Sequence, residues 1–180
     1  MGQDPLTLII RTVGELYAFI VILRFLLQLA RADYYNPISQ AVVRLTNKPL
    51  VPLQKVMPRA GRFDLSALVL AVVVKAATLL LIYLVHEAAP NIATILIYSA
   101  VGVLDTILTI YFWAVLASVI ISWVAPGSYH PGPQLIQQLT EPLFELARKV
   151  IPPIGGLDLS PILIFIVIQI VQAQLAQILG

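Results

Sequence analysis

Four stretches of this chain, Leu6–Ala30, Leu65–Val85, Ile92–Val124 and Pro161–Leu179, are nearly unbroken runs of apolar residues. An α-helix rises about 1.5 Å per residue, so about 20 residues cross the roughly 30 Å of hydrocarbon in a bilayer. In lipid every backbone N–H and C=O must be bonded internally, which makes such runs helices rather than open strands. The composition agrees: 59% of the 180 residues are hydrophobic and 11% are charged, against about 25% charged in soluble domains. The expected fold is an all-α membrane protein with four transmembrane helices. The third run is longer than one crossing needs, so it is expected to tilt, protrude or break near Gly102. No positively charged leader or small-residue cleavage site accompanies the first run, which is therefore expected to remain as an anchor.

The chain also repeats itself. A shift of 94 residues (140 − 46) places Thr46 on Thr140, Tyr35 on Tyr129, Pro37 on Pro131 and Leu45 on Leu139. It also aligns Lys55 with Lys149, Val56 with Val150, Pro58 with Pro152, Gly61 with Gly155, and Asp64-Leu65-Ser66 with Asp158-Leu159-Ser160. A repeat of this length is one supersecondary unit used twice. The units are residues 1–90 and 91–180, each a hairpin of two spans. Two crossings return the chain to its starting side, so the hairpins are parallel repeats related by an axis along the membrane normal.

Between the spans of each hairpin lies a polar segment, residues 31–63 and 125–157, and these hold ten of the thirteen prolines. Such a density of proline predicts short, bent helices rather than another crossing. In the first segment Ile38, Ala41, Val42 and Leu45 recur at one-sided helical spacing; in the second Leu135, Ile136 and Leu139 oppose Gln134, Gln137, Gln138 and Glu141. Amphipathic helices of this kind lie on the membrane surface or pack on the bundle, and periodicity does not choose. Nine of the eleven Lys and Arg residues precede residue 90, and eight of the eleven fall in the two proline-rich segments. The positive-inside rule then predicts cytoplasmic loops and periplasmic termini.

No chemistry-bearing constellation stands out. The chain has no cysteine and two histidines, His86 and His130, in different repeats. No metal site, cofactor or enzymatic activity is expected. The sharpest local signal is the twin Asp-Leu-Ser. Asp64, Ser66, Asp158 and Ser160 stand at helix starts, where their oxygens can accept from unpaired N–H groups. A rival reading makes the two carboxylates a cation or proton entry site. Within the spans the polar residues are Arg24, close enough to an end to snorkel, Lys75 near the midplane, and the glutamines of the last run, led by Gln169 and Gln172. Glu15 neutralises Lys75 if the register brings the two together. The shift sets Ser118 against Arg24 and Gln169 against Lys75, so any site at these positions is asymmetric.

The combined pattern resembles the YggT family, related to YlmG, of small integral membrane proteins. The second repeat carries Ser122-Trp123, Thr140-Glu141-Pro142-Leu143, Arg148-Lys149, Pro152-Pro153, Gly155-Gly156 and Asp158-Leu159-Ser160-Pro161. The first carries Arg24, Asn36-Pro37, Thr46-Asn47, Lys55, Pro58, Gly61 and Asp64-Leu65-Ser66. Departures are Ser118 for the arginine, His130 for the asparagine and Leu29 for the tryptophan. The loop motif is thus Thr46, Lys55, Pro58, Thr140, Arg148, Lys149 and Pro152. The resemblance implies a bacterial inner-membrane protein. Its members are connected with osmotic shock tolerance, ion uptake and division-linked gene neighbourhoods. Plastid relatives are connected with cytochrome complex assembly and nucleoid distribution. It carries over no catalytic residue.

The functional expectation is a structural, assembly or stress-tolerance role exercised through the loops, with a transporter or channel subunit as the alternative. The expected partners are the lipid bilayer and a membrane protein or a second copy, with no direct contact to nucleic acid.

Overall fold

The structure, a computed structural model, describes residues 4–57, 63–89, 91–153, 155 and 157–179. Six helices account for it: α1 (Pro5–Leu29), α2 (Pro37–Val56), α3 (Leu65–Val85), α4 (Ile92–Val124), α5 (Pro131–Val150) and α6 (Ser160–Leu179). Four of them, α1, α3, α4 and α6, are long and apolar enough to cross a membrane. The protein is an all-α multi-pass membrane protein of two tandem hairpins, α1–α3 and α4–α6. Helices α3 and α4 stand side by side between them, and α1 also touches α4. Helix α6 packs on α4 and α5, so much of its surface remains open.

The amphipathic segments are longer than their prolines suggested. Helices α2 and α5 each run 20 residues, with Pro49 and Pro52 inside α2 and Pro142 inside α5. An internal proline frees the carbonyl four residues before it. For Pro49 that carbonyl belongs to Leu45, and the Tyr17 hydroxyl on α1 donates to it at 3.4 Å. The starts are also prepared. Pro37 and Pro131 sit in the first turn of their helices, where a missing N–H costs nothing.

Both helices turn their apolar faces onto the bundle. Val42, Thr46 and Leu50 of α2 are buried, as are Leu135, Leu139, Thr140, Phe144 and Ala147 of α5. Leu50, Leu135 and Leu139 join Val21, Ile22, Leu26, Leu70 and Val103 in one core, so the two repeats share an interior. A smaller cluster of Val115, Phe144, Ala147, Ile164 and Ile168 ties α4, α5 and α6 together.

Helix α4 is continuous through Gly102, and its 33 residues make it about 50 Å long, so it does not break there and must tilt or protrude. Gly102 serves packing instead. The Lys75 side chain lies against it, with Cδ 3.3 Å from where a Cβ would stand. Trp123 is exposed in the last turn of α4 and Tyr129 just beyond it, and Tyr34 and Tyr35 are exposed beyond the loop-side end of α1. This is the placement aromatic rings take at a membrane–water boundary.

Helices α1 and α3 end alike. The Ala32 N–H bonds to Leu27 O and the Ala88 N–H to Tyr83 O, which wraps each terminus around a left-handed residue. Those residues are Arg31 (φ 55°) and Glu87 (φ 52°), where glycine is the unstrained choice. Glu87→Gly is therefore expected to stabilise the protein by about 1 kcal/mol, read as a raised Tm in detergent.

Candidate functional site

Two polar regions lie against the apolar frame, one at the loop side and one within the spans.

At the loop side, Arg24 reaches from α1 to α2 rather than to the interface. Its Nη1 donates to Thr46 Oγ1 at 2.8 Å, Asn47 Oδ1 at 3.1 Å and the Val43 carbonyl at 3.2 Å. Thr46 is fully buried, and its hydroxyl donates in turn to Val42 O at 2.7 Å. In the second repeat Thr140 is equally buried and its hydroxyl donates to Ile136 O at 2.9 Å. Ser118 there replaces the arginine.

A second contact clasps the end of each amphipathic helix to the start of the next span. Gln54 Nε2 donates to Asp64 Oδ2 at 2.7 Å, and Arg148 Nε donates to Asp158 Oδ2 at 2.9 Å. The 94-residue shift superimposes these pairs (54 to 148, 64 to 158), so the clasp belongs to the repeat even though its donor differs. Arg148 also pairs with Glu141 at 2.8 Å. The repeats are then tied to each other: Asn36 Nδ2 donates to Pro131 O at 2.8 Å, and the Asp33 N–H to Gln138 Oε1 at 2.9 Å.

The twin Asp-Leu-Ser therefore divides. Asp158 Oδ1 accepts from the Ser160 N–H at 2.9 Å, a turn that opens α6. Asp64 stands at the N-cap of α3 but makes no side-chain bond to its own helix. Its carboxylate is turned toward Gln54, and Oδ1 is buried without a partner. The expectation that all four residues cap their helices is corrected for Asp64, whose Oδ2 is held by Gln54 and whose Oδ1 meets no N–H of α3. The Ser66 and Ser160 hydroxyls are buried without partners, so neither caps. Lys55 and Lys149 are exposed in the last turns of α2 and α5, where a positive charge complements the helix dipole. Pro152 is exposed just after α5. Pro58 and Gly61 lie outside the described residues.

The Asp158 clasp has a pH signature. Burial alone pushes this carboxyl up, but bonds from the Ser160 amide and from Arg148 outweigh it and hold it below the ordinary 3.8. A group depressed on folding contributes stability above its unfolded pKa and loses it as pH falls through the folded one. The Tm advantage of the parent over Asp158→Asn is expected to be full above about pH 5 and to shrink below about pH 4. Melting curves of both proteins across that window measure it.

Within the spans, the α1–α3 register brings Glu15 and Lys75 together. Lys75 Nζ lies 2.5 Å from Glu15 Oε2, and the lysine side chain is 8% exposed against 51% for the glutamate. The pair lines a cavity of about 540 Å³ between α1, α3 and α4 that also presents Arg11, Ser99, Asp105 and Thr106. In the second hairpin Gln172 Nε2 donates to Asp105 Oδ1 and Thr109 Oγ1, each at 3.1 Å. Thr109 is the repeat equivalent of Glu15 (15 + 94), so both hairpins carry a polar tie at one level. The tie in α6 comes from Gln172 and not from Gln169, which faces outward.

Asp105 is the residue that sequence reasoning missed. Its signal was a lone carboxylate inside an apolar run of 33 residues, a placement that marks function or pairing by default. Among the described residues no three His, Asp or Glu side chains converge on a metal-sized point.

Residues 3–85 and 97–179 each match the profile of the family described as CCB3/YggT. The chain belongs to the CCB3/YggT family. The two matched segments are offset by the same 94 residues (97 − 3), which is the register of the clasps. An uncharacterized protein of Pseudomonas aeruginosa is 46% identical over 165 residues, covering 91% of this chain and 84% of its own length. The uncharacterized protein YggT of Escherichia coli K12 is 33% identical over 177 residues, covering 98% and 92%. The uncharacterized protein ycf19 of Guillardia theta is 32% identical over 80 residues, 44% of this chain and 84% of its own length. One CCB3/YggT hairpin is thus nearly the whole of that relative. No solved structure matches.

Proposed function

We propose that this is a non-enzymatic protein of the bacterial inner membrane with a structural or assembly role, including under osmotic stress. Helices α2 and α5 present the surface that a membrane-protein partner or a second copy meets. The observation that carries the reading is the pinning of both amphipathic helices by the paired clasps and the cross-repeat bonds. Held this way, they form one preorganised face instead of two mobile loops, and preorganisation lowers the cost of binding. Outward they show Leu45, Val51, Val56, Leu146 and Val150 among Arg44, Lys48, Lys55 and Lys149. The basic excess of this face over the opposite side supports a cytoplasmic location, with periplasmic termini.

The chain contains no cysteine, so single cysteines report cleanly. Photo-crosslinkers attached at Leu45 and Leu146 in native membranes are expected to give one discrete protein adduct from each site. An attachment at Leu6, on the far side, is expected to give none. Recovery of lipid adducts alone from both loop sites would reject the assembly role, and labelling of the Tyr129→Cys variant by an impermeant reagent from outside would reject the orientation.

The cavity around Lys75 favours a second reading, ion uptake. An intramembrane charge facing a cavity marks solute handling by default. Beneath it the buried side chains of Val21, Ile22, Phe25, Leu70 and Val103 form a packed apolar layer, so transport requires a second conformation. Lys75→Gln, which installs the residue of the second repeat, is expected on this reading to change ion flux in proteoliposomes at unchanged abundance.

A further inference from the structure

We propose that the cleft between α1 and α2 at the loop end is a binding site for a phosphate group. The cleft has a volume of about 450 Å³, and its polar lining is Arg24, Gln28, Arg31, Ser39, Asn47 and Gln54. With Tyr34, which also lines it, the cleft brings two guanidiniums, three amides and two hydroxyls, and no carboxylate, although Gln54 Nε2 is already committed to Asp64. Such a lining is complementary to an anion rich in acceptors, and arginine's planar fork suits phosphate in particular. The size lies within the range of ordinary ligand pockets.

Ser39 supplies the independent observation. It is 5% exposed, it lines the cleft, and its hydroxyl has no hydrogen-bond partner. A buried hydroxyl left unmade is costly unless something fills the space beside it. Arg31 adds the second guanidinium to the lining, from the left-handed position after α1 (φ 55°). Arg24 is already oriented by Thr46 and Asn47, so the site is preorganised on the α1 side.

The second repeat shows what the same skeleton looks like without this lining. Under the 94-residue shift Arg24, Arg31, Ser39 and Asn47 become Ser118, Ala125, Pro133 and Glu141. Both cations and the free hydroxyl are gone, and a carboxylate has entered. The hairpin folds with either set, so Arg31 and Ser39 are not dictated by the fold, whereas Arg24 also ties α1 to α2. The apolar part of the wall, Leu27, Val42 and Val43, and the position beside a span end place the phosphate at headgroup depth. A lipid headgroup and a soluble phosphate share this chemistry.

The test uses the full chain in detergent, with dioleoylphosphatidylglycerol and dioleoylphosphatidylcholine followed by native mass spectrometry, and inorganic phosphate followed by thermal shift. The parent is expected to retain one phosphatidylglycerol in preference to phosphatidylcholine. Arg31→Gln and Ser39→Ala are expected to weaken that binding by about tenfold or more. Arg44→Gln, on the exposed face of α2, should leave it unchanged. Stabilisation by inorganic phosphate with no lipid adduct, lost in the same two variants, supports the site with a soluble ligand. Absence of binding by every probe overturns the proposal. So does an equal loss in Arg44→Gln, which assigns the effect to general surface charge. Ser39 makes no bond within the fold, so Ser39→Ala keeps the test decisive if Arg31→Gln does not fold, and parent-like binding by Ser39→Ala then overturns the proposal.

Discussion

Glu15→Gln is expected to destabilise the protein by about 3 kcal/mol or more. Lys75 is almost entirely buried, and Glu15 is the carboxylate in ion-pair contact with it. Removing that partner leaves a desolvated ammonium in the middle of the spans, and an uncompensated buried charge is the costly half of a broken pair. Lys75→Gln should cost less, because the Glu15 carboxylate it leaves behind lines the cavity that Arg11 also lines. The two single variants should therefore be unequal, and a double variant should separate pairing from burial. Glu15→Thr with Lys75→Gln installs the residues found at Thr109 and Gln169, and it is expected to be more stable than Glu15→Thr alone. Such negative coupling is the signature of groups that act as a unit. Thermal or denaturant unfolding in detergent measures all four corners of the cycle. A Glu15→Gln variant within about 1 kcal/mol of the parent would mean that Lys75 finds other compensation.

The same pair shows how far the sequence could be read. Span boundaries, the 94-residue register and the one-sided helices follow from periods and lengths, which are local properties. That Glu15 meets Lys75 depends on the relative rotation of α1 and α3, which periodicity does not encode. Arg24 is a similar case. Its depth in the span permits snorkelling toward water, and only the folded position of α2 offers it Thr46 and Asn47 instead. Proline content misled about α2 because the carbonyl freed by Pro49 finds the Tyr17 hydroxyl on another helix. Tertiary contacts that rescue a local penalty are invisible to a local rule. Asp64 likewise carried a sound capping signal, and Gln54 outcompeted it at 2.7 Å.

Gly14→Ala is expected to cost about 2–3 kcal/mol by overpacking the closest approach of α1 and α3. A Cβ built on Gly14 would lie 2.0 Å from Thr78 Oγ1, 2.7 Å from Thr78 Cγ2 and 2.9 Å from Thr78 Cβ. These are distances that real contacts do not reach, so either the threonine changes rotamer or the helices part. Rotation is restricted for Thr78, because its hydroxyl donates to Val74 O at 2.8 Å within its own helix. Small residues that let helix backbones approach are a common means of association in lipid, where apolar burial alone drives little. Thr78→Ala removes the two nearest atoms and leaves only the 2.9 Å contact. The double variant Gly14→Ala with Thr78→Ala should therefore recover much of the loss, although each single change removes or crowds a native contact. The second hairpin carries Leu108 and Gln172 at the corresponding positions, so its helices meet through a different solution at the same level. Gly14 directly precedes Glu15 and Thr78 is about one turn from Lys75, so a forced separation of α1 from α3 should weaken that pair. The effects of Gly14→Ala and Glu15→Gln should then sum to more than the double variant loses. Strict additivity would show that the packing contact and the ion pair hold α1 to α3 independently.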